Sequence, residues 1–330
     1  MSVAAKIISL GHTKPTRKIS NQYFVEMGLD TSDEWIKERT GIHSRYFTNN
    51  EKASSDLGYE AAINCLDNAN LKSSAIDLII VATSTPDHNG FPSTACLIQE
   101  KLKCPNIPAF DISAACSGFV YALSTAEGFL ATKKYSNILV IGVDCLSKIT
   151  NMEDRGTCIL FGDGAGAALL SQSDTIDEGI LLSTINANGS LANILAVPKG
   201  GSKHPFNETI AKEKSHFIEM DGQSVFKQAI KLVVNEIKQS LLSVNLTPPD
   251  IDYLICHQAN QRILDKICQN LSIPLEKSIT NIHKFGNTSA ASIPLAMSEF
   301  HNQTGFKKGD IIVLAGFGAG FTWGITIIKW

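Results

Sequence analysis

Short apolar runs alternate with amphipathic stretches along the chain. "LIIVA" from Leu78, "IPAFDI" from Ile107, "NILVIGV" from Asn137, "YLIC" from Tyr253 and "IIVLAGF" from Ile311 have strand length and almost no polar interruption. Such runs read as strands buried on both faces. Between them, residues 54–69, 92–102, 116–132, 222–243, 260–270 and 289–303 read as helices; in the third, Phe119, Val120, Leu123 and Ala126 recur at helical spacing. Strand and helix in alternation predict an α/β protein with mainly parallel sheets.

The pattern repeats. "NLKSSAID" (70–77) and "NLTPPDID" (245–252) share N-L-x4-I-D at an offset of 175 residues, and each leads into an apolar strand. "SAACSGF" from Ser113 and "SAASIPL" from Ser289 lie 176 apart, and "NILVIGVD" and "DIIVLAGF" lie 173 apart. The chain therefore reads as two duplicated halves, 1–175 and 176–330, packed about a pseudo-twofold axis, with the boundary in "LLSQSDTIDEG".

With 330 residues, 44% hydrophobic and 18% charged, the chain can bury a large core. A net charge of -3 argues against bulk attraction to nucleic acid or an anionic membrane. No stretch approaches the roughly 18 apolar residues of a membrane span, and the start lacks a secretory pattern, so a cytoplasmic protein is expected. The eight cysteines form no CxxC pair, which argues against a disulfide framework or a metal site.

Ligands of such sheets bind beyond the carboxyl ends of the strands. Three polar residues in apolar surroundings fall there: Cys116 after "FDI", His257 after "YLIC" and Asn287 in "KFGNTSAAS". Taken singly they read as a buried thiol, a satisfied core histidine and a turn residue. Together they are the elements of covalent catalysis. Cys116 sits near a helix start, where the dipole and free N–H groups lower a thiol pKa. His257 can exchange a proton, or donate with Asn287 to one thioester carbonyl and stabilise an enolate. A papain-like hydrolase is disfavoured, because its Gly-Ser-Cys-Trp setting is absent. "FGDGAGAA" (161–168) nominally matches a dinucleotide fingerprint, but no helix of sufficient length follows and Leu182, twenty residues past Gly162, is not acidic; a tight strand-turn-strand is expected instead.

At this point the chain resembles the thiolase-fold condensing enzymes, most closely the β-ketoacyl-acyl carrier protein synthase III family. The resemblance rests on six motifs in order: "TSDEWIKERTGI" (31–42), "DISAACSGF" around Cys116, "RGTCILFGDGAGA" (155–167), "HQANQRI" from His257, "GNTSAASIP" around Asn287, and "GFGAGFTWG" (316–324). It implies a thiolase-like fold with a layered αβαβα core and a Cys-His-Asn site for decarboxylating Claisen condensation. Cys116 would take an acyl group of acetyl size from acyl-coenzyme A. Malonyl-acyl carrier protein would lose carbon dioxide against His257 and Asn287, and its carbanion would attack the Cys116 thioester, initiating fatty acid synthesis. No cofactor is implied, since coenzyme A enters as a thioester substrate.

The resemblance also implies that Trp35 and Arg155 sandwich the adenine with Arg39 near the phosphates, and that Met220, Gly222, Phe226, Ala259 and Asn260 contact substrate. The oxyanion hole would join the backbone N–H of Cys116 to one from Gly318 or Ala319. Ala319 stands where relatives usually carry glycine, and an alanine suits that place only at a negative φ. The enzyme would be a homodimer, with Phe91 reaching across the interface to close the neighbour's acyl pocket and favour short primers. Lys227 and Lys231, and Arg262 and Lys266, each four apart on a helix near His257, would dock the acidic carrier protein. The alternatives are a paralogue of secondary metabolism and a non-catalytic scaffolding homologue. Intact Cys116, His257 and Asn287 oppose the latter, and a thiolase would want a second cysteine near "GFGAGFTWG".

Overall fold

The computed structural model describes residues 5–173, 175 and 178–330. Numbering only the strands of the two main sheets and the six long helices between and around them, the first sheet contains β1 (Ala5–Thr13), β2 (Leu78–Ala82), β3 (Ala109–Ile112), β4 (Asn137–Cys145) and β5 (Asp163–Gln172), in the order β1-β5-β4-β2-β3. The second contains β6 (Gly179–Ala187), β7 (Tyr253–Cys256), β8 (Ile311–Gly318) and β9 (Thr322–Lys329), in the order β6-β9-β8-β7. Strands β2, β3 and β4 run parallel, as do β7 and β8, while β5 and β9 are antiparallel to their neighbours. The two orders superimpose strand for strand, with β6, β9, β8 and β7 standing for β1, β5, β4 and β2. In place of β3 the second sheet has, among the described residues, only a single parallel bridge of Ser278 to Leu254.

Helices α1 (Ser54–Ala69), α2 (Thr94–Lys101) and α3 (Gly118–Ala131) follow the first sheet's strands; α4 (Gly222–Ser243), α5 (Gln261–Leu271) and α6 (Ser292–Gln303) follow the second's. The largest core cluster joins α3 (Phe119, Leu123, Ala126) and α6 (Ile293, Met297) to Ile80 and Ala82 of one sheet and Ile312 and Leu314 of the other. The two helices are thus the central layer, with buried apolar residues facing both sheets and most of their polar residues toward the C-terminal turns. α1 and α2 cover the outer face of the first sheet, α4 and α5 that of the second, completing the α-β-α-β-α stack. The connection from Gln172 to Gly179 joins the sheets; the boundary at 175 falls in it, beside Asp174, Ile176 and Asp177, which lie outside the described residues.

Three expectations change. The register of the repeat is 174 rather than 176: the short 3-10 turn Ala115–Ser117 before α3 corresponds to Ser289–Ala291 before α6. The matching letters S-A-A had slid by two. "GDGAGA" is no strand-turn-strand but the beginning of the continuous strand β5, paired on both edges. Its Gly166 is demanded by packing, since a Cβ there would lie 2.7 Å from the Leu295 backbone nitrogen of α6. The central helices also start later than read, because each is preceded by its 3-10 turn.

Candidate active site

Both turns before the central helices hold a non-glycine residue at positive φ, Ala115 at 46° and Ser289 at 51°. Such residues are uncommon and cluster at functional sites. The first turn presents Cys116, 8% exposed, to a cavity of about 850 Å³. The Thr322 hydroxyl lies 2.8 Å from Ser117 Oγ and 2.9 Å from the Ala319 carbonyl, and so joins the Cys116 turn to the Gly-rich loop. Gly318 must be glycine: a Cβ there would lie 2.8 Å from the Cys116 nitrogen. Ala319 is not among the residues at positive φ; that role falls to Gly320 at 121°, so an alanine fits the loop without strain.

Burial pushes the Cys116 thiol up to about 12; the Ser289 hydroxyl and the residue's own N–H oppose this, and the Asp144 charge adds to it. The lowered thiol pKa expected from a helix start is therefore not found. Desolvation of the anion outweighs the turn's dipole, and the resting site holds a thiol.

His257 follows β7, and its backbone N–H donates to the Ala315 carbonyl at 2.8 Å. Nδ1 lies 2.7 Å from Ser292 Oγ, and that oxygen accepts the Gln258 N–H at 3.3 Å. With the Ser292 hydroxyl donating to Nδ1, the tautomer assigned to the neutral ring carries its proton on Nε2, available to the cavity. The Phe317 ring packs edge-on at 5.1 Å, and burial lowers the imidazole pKa to about 3. The ring is a neutral donor throughout the neutral range. Asn287 is pinned similarly: its Oδ1 accepts the Ser289 N–H at 2.9 Å, and its backbone bonds Leu160 and Gly162. Its Nδ2 donor remains for the cavity it lines. Two neutral N–H donors beside a thiol suit a charge developing on a thioester oxygen.

Trp35, Arg39, Arg155, Met220, Gly222, Phe226, Ala259, Asn260, Gly318 and Ala319 all line the same cavity. Trp35 stands on the helix Asp33–Thr40, which Ser32 caps by accepting the Trp35 N–H at 3.1 Å. The Arg39 and Arg155 guanidinium groups lie 5.9 and 5.1 Å from the Trp35 ring centroid, and Arg155 is tied to Asp30 through its carbonyl and carboxylate. An intercalated purine needs about 7 Å between the flanking planes, two van der Waals spacings. Arg155 must swing outward for a base to enter beside Trp35. Asn260 caps α5 and donates to the Arg39 carbonyl at 3.1 Å, joining the two walls.

Phe91 does not line this cavity; it is 91% exposed on the loop between β2 and α2. An anchoring role within its own chain is therefore ruled out. Lys227, Lys231, Arg262 and Lys266 are exposed on α4 and α5, two helices packed side by side, and Arg262 lies over the Phe226 ring at the cavity wall. The sequence reading missed Ser289, Ser292, Phe317 and the buried Asp144. Their only signal was a place inside the motifs already quoted, and their contacts exist only once the halves meet.

Among the described residues no group of three or more His, Cys, Asp or Glu side chains could hold a metal ion, and no helix is long and apolar enough to cross a membrane. Residues 110–189 match the family model for 3-oxoacyl-[acyl-carrier-protein] synthase III, and 241–330 the model for its C-terminal part. β-Ketoacyl-[acyl-carrier-protein] synthase III of Caldanaerobacter subterraneus subsp. tengcongensis is 46% identical over 328 residues, 99% of this chain and 98% of that one. The crystal structure of 3-oxoacyl-[acyl-carrier-protein] synthase III from Aquifex aeolicus VF5 superposes with a TM-score of 0.90 at 40% identity, covering 99% of this chain and 100% of that one. The priming β-ketosynthase of the R1128 polyketide biosynthetic pathway superposes equally well, with a TM-score of 0.91, but at 29% identity over 99% of this chain and 96% of that one. The cavity, its thiol and its paired donors thus sit in a fold and a sequence shared from end to end with these enzymes, and the chain belongs to the β-ketoacyl-[acyl-carrier-protein] synthase III family of condensing acyltransferases.

Proposed function

We propose that Cys116 is the nucleophile and that His257 and Asn287 are the enolate donors of a decarboxylating condensation between a short acyl-coenzyme A and malonyl-acyl carrier protein. The reading rests chiefly on one observation: a buried thiol and two neutral, individually oriented N–H donors converge on a single cavity. In the first half-reaction the Cys116 sulfur forms a bond to the acyl carbon, the bond to the coenzyme A sulfur breaks, and the thiol proton leaves with coenzyme A. In the second, the malonyl thioester oxygen accepts from His257 Nε2 and Asn287 Nδ2 while the bond to the carboxylate breaks and carbon dioxide departs; the carbanion then bonds to the acyl carbon, the acyl–sulfur bond breaks, and the released Cys116 thiolate takes a proton from solvent. The Cys116 N–H and a donor of the 318–319 loop hold the oxyanion of each tetrahedral intermediate. The product is a 3-oxoacyl-carrier protein.

Trp35, Arg39 and Arg155 bind the nucleotide end of coenzyme A, Arg155 opening to admit the base, and the α4/α5 basic residues receive the carrier protein. The enzyme works in the cytoplasm as a homodimer, and the exposure of Phe91 supports its burial against a second copy. The greater identity to synthase III than to the polyketide priming enzyme favours fatty acid initiation. Incubating the protein with acetyl-, butyryl- and octanoyl-coenzyme A and weighing the intact chain tests the reading. One acyl group per chain, placed on Cys116 by peptide mapping and largest in yield for acetyl or butyryl, is expected. No acylation, or acylation elsewhere, overturns it.

A further inference from the structure

Asp144, at the carboxyl end of β4, is fully buried and makes no ion pair among those between described residues. Its carboxylate is satisfied by donors from two loops instead. Oδ1 accepts from the Ser84 N–H at 2.7 Å, the Thr85 N–H at 3.1 Å, and the Thr85 and Thr83 hydroxyls at 3.0 and 3.2 Å. Oδ2 accepts the Ala290 N–H at 3.1 Å. Ser84 lines the cavity, and Ala290 is the centre of the turn that begins two residues after Asn287. A lone buried carboxylate is costly unless its bonds are worth keeping, and the cheaper choice here would be a neutral side chain. This one stands beside the nucleophile, where its charge opposes formation of the thiolate.

We propose that Asp144 is a positioning residue for the decarboxylating half of the reaction, holding the Asn287–Ala290 turn against the Ser84–Thr85 loop through one carboxylate. The inference rests on the functional reading above. Asn287 is oriented by the Ser289 N–H, and Ser289 is continuous with the Ala290 N–H that Asp144 holds. Releasing that turn lets the Nδ2 donor drift from the enolate oxygen, and misplacement by about 1 Å costs on the order of a hundredfold. Capture of the primer uses the other turn, which Asp144 does not bond. Removing its negative charge eases ionisation of Cys116. Condensation should therefore fall while acyl capture does not, a split that general damage to the fold would not produce.

The test compares wild type with D144N, which keeps the volume and an acceptor for Ser84 and Thr85 but sets an amide N–H against the Ala290 N–H. The steady-state condensation kcat with malonyl-acyl carrier protein should fall about tenfold to a hundredfold. The single-turnover rate of acyl capture from acetyl-coenzyme A should be unchanged or faster. T85V, which deletes one donor to Oδ1, should show the same split at a few-fold, and it carries the test alone if D144N fails to fold. Equal losses in both half-reactions, or condensation at the wild-type rate, overturn the proposal. If wild type captures no acyl group, the functional reading fails instead.

Discussion

The two turns that precede the central helices have nearly the same backbone and opposite chemistry. Ala115–Ser117 and Ser289–Ala291 are both 3-10 turns entered through a residue at positive φ, 174 positions apart. In the first, the middle residue is Cys116, and its side chain meets the cavity. In the second it is Ala290, whose methyl carries no chemistry; the functional group there is the amide of Asn287, upstream, steered by the turn's own Ser289 N–H. On the proposed reading, one copy of the duplicated turn delivers a nucleophile and the other delivers a donor. Duplication thus supplies two rigid mounts at the meeting of the halves, and in the proposed mechanism divergence of a few side chains divides a two-step reaction between them.

The largest effect that can break this comparison is at the first mount. C116A should abolish both acyl capture and condensation while leaving measurable malonyl decarboxylation, followed as carbon dioxide release. N287A comes next: condensation should fall about a hundredfold or more, the usual consequence of removing one preorganised donor, with acyl capture within a few-fold of wild type by radiolabel transfer.

His257 sharpens the comparison through stability. Its folded pKa of about 3 lies below the ordinary 6.5, so in between the unfolded chain binds a proton that the folded one refuses. The stabilisation is full above about 6.5 and is lost as pH falls toward 3. Urea unfolding of wild type and H257N should show wild type losing up to about 2 kcal/mol more than the variant between neutral pH and about pH 5, an upper figure for that fraction of the shift. Parallel losses would mean that the ring is not held neutral by burial. Condensation should correspondingly show no loss centred near pH 6.5.

Smaller effects belong to the periphery. The double charge reversal K227E/R262E should raise the KM for malonyl-acyl carrier protein several-fold and spare transfer from acyl-coenzyme A; equal changes for both substrates would remove α4 and α5 from carrier docking. F91A should shift the ratio of acetyl- to octanoyl-coenzyme A use toward the longer chain, since a pocket wall discriminates by around 1 to 3 kcal/mol per methylene. An unchanged ratio takes Phe91 out of the partner's pocket.

Much of this was legible in the sequence because periodicity and repetition survive without coordinates. Helices 54–69 and 222–243 form at the boundaries their patterns imply, and the N-L-x4-I-D pair marks equivalent entries to β2 and β7. What required the structure depends on proximity. The glycines of "GDGAGA" look like turn residues until Gly166 is seen under α6. Cys116 looks like an activated thiol until its desolvation is weighed against the turn's dipole. Ser292, Phe317 and Asp144 act through contacts 35, 60 and 146 positions away along the chain, to His257 and Ala290, which no local pattern records.

The central claim, that the two turns divide the chemistry, is tested most directly by running acyl capture and malonyl decarboxylation side by side on C116A and N287A. The account predicts a crossed result: C116A loses capture but keeps decarboxylation, whereas N287A keeps capture but loses decarboxylation. If both activities fall together in either variant, the division of labour between the turns is contradicted.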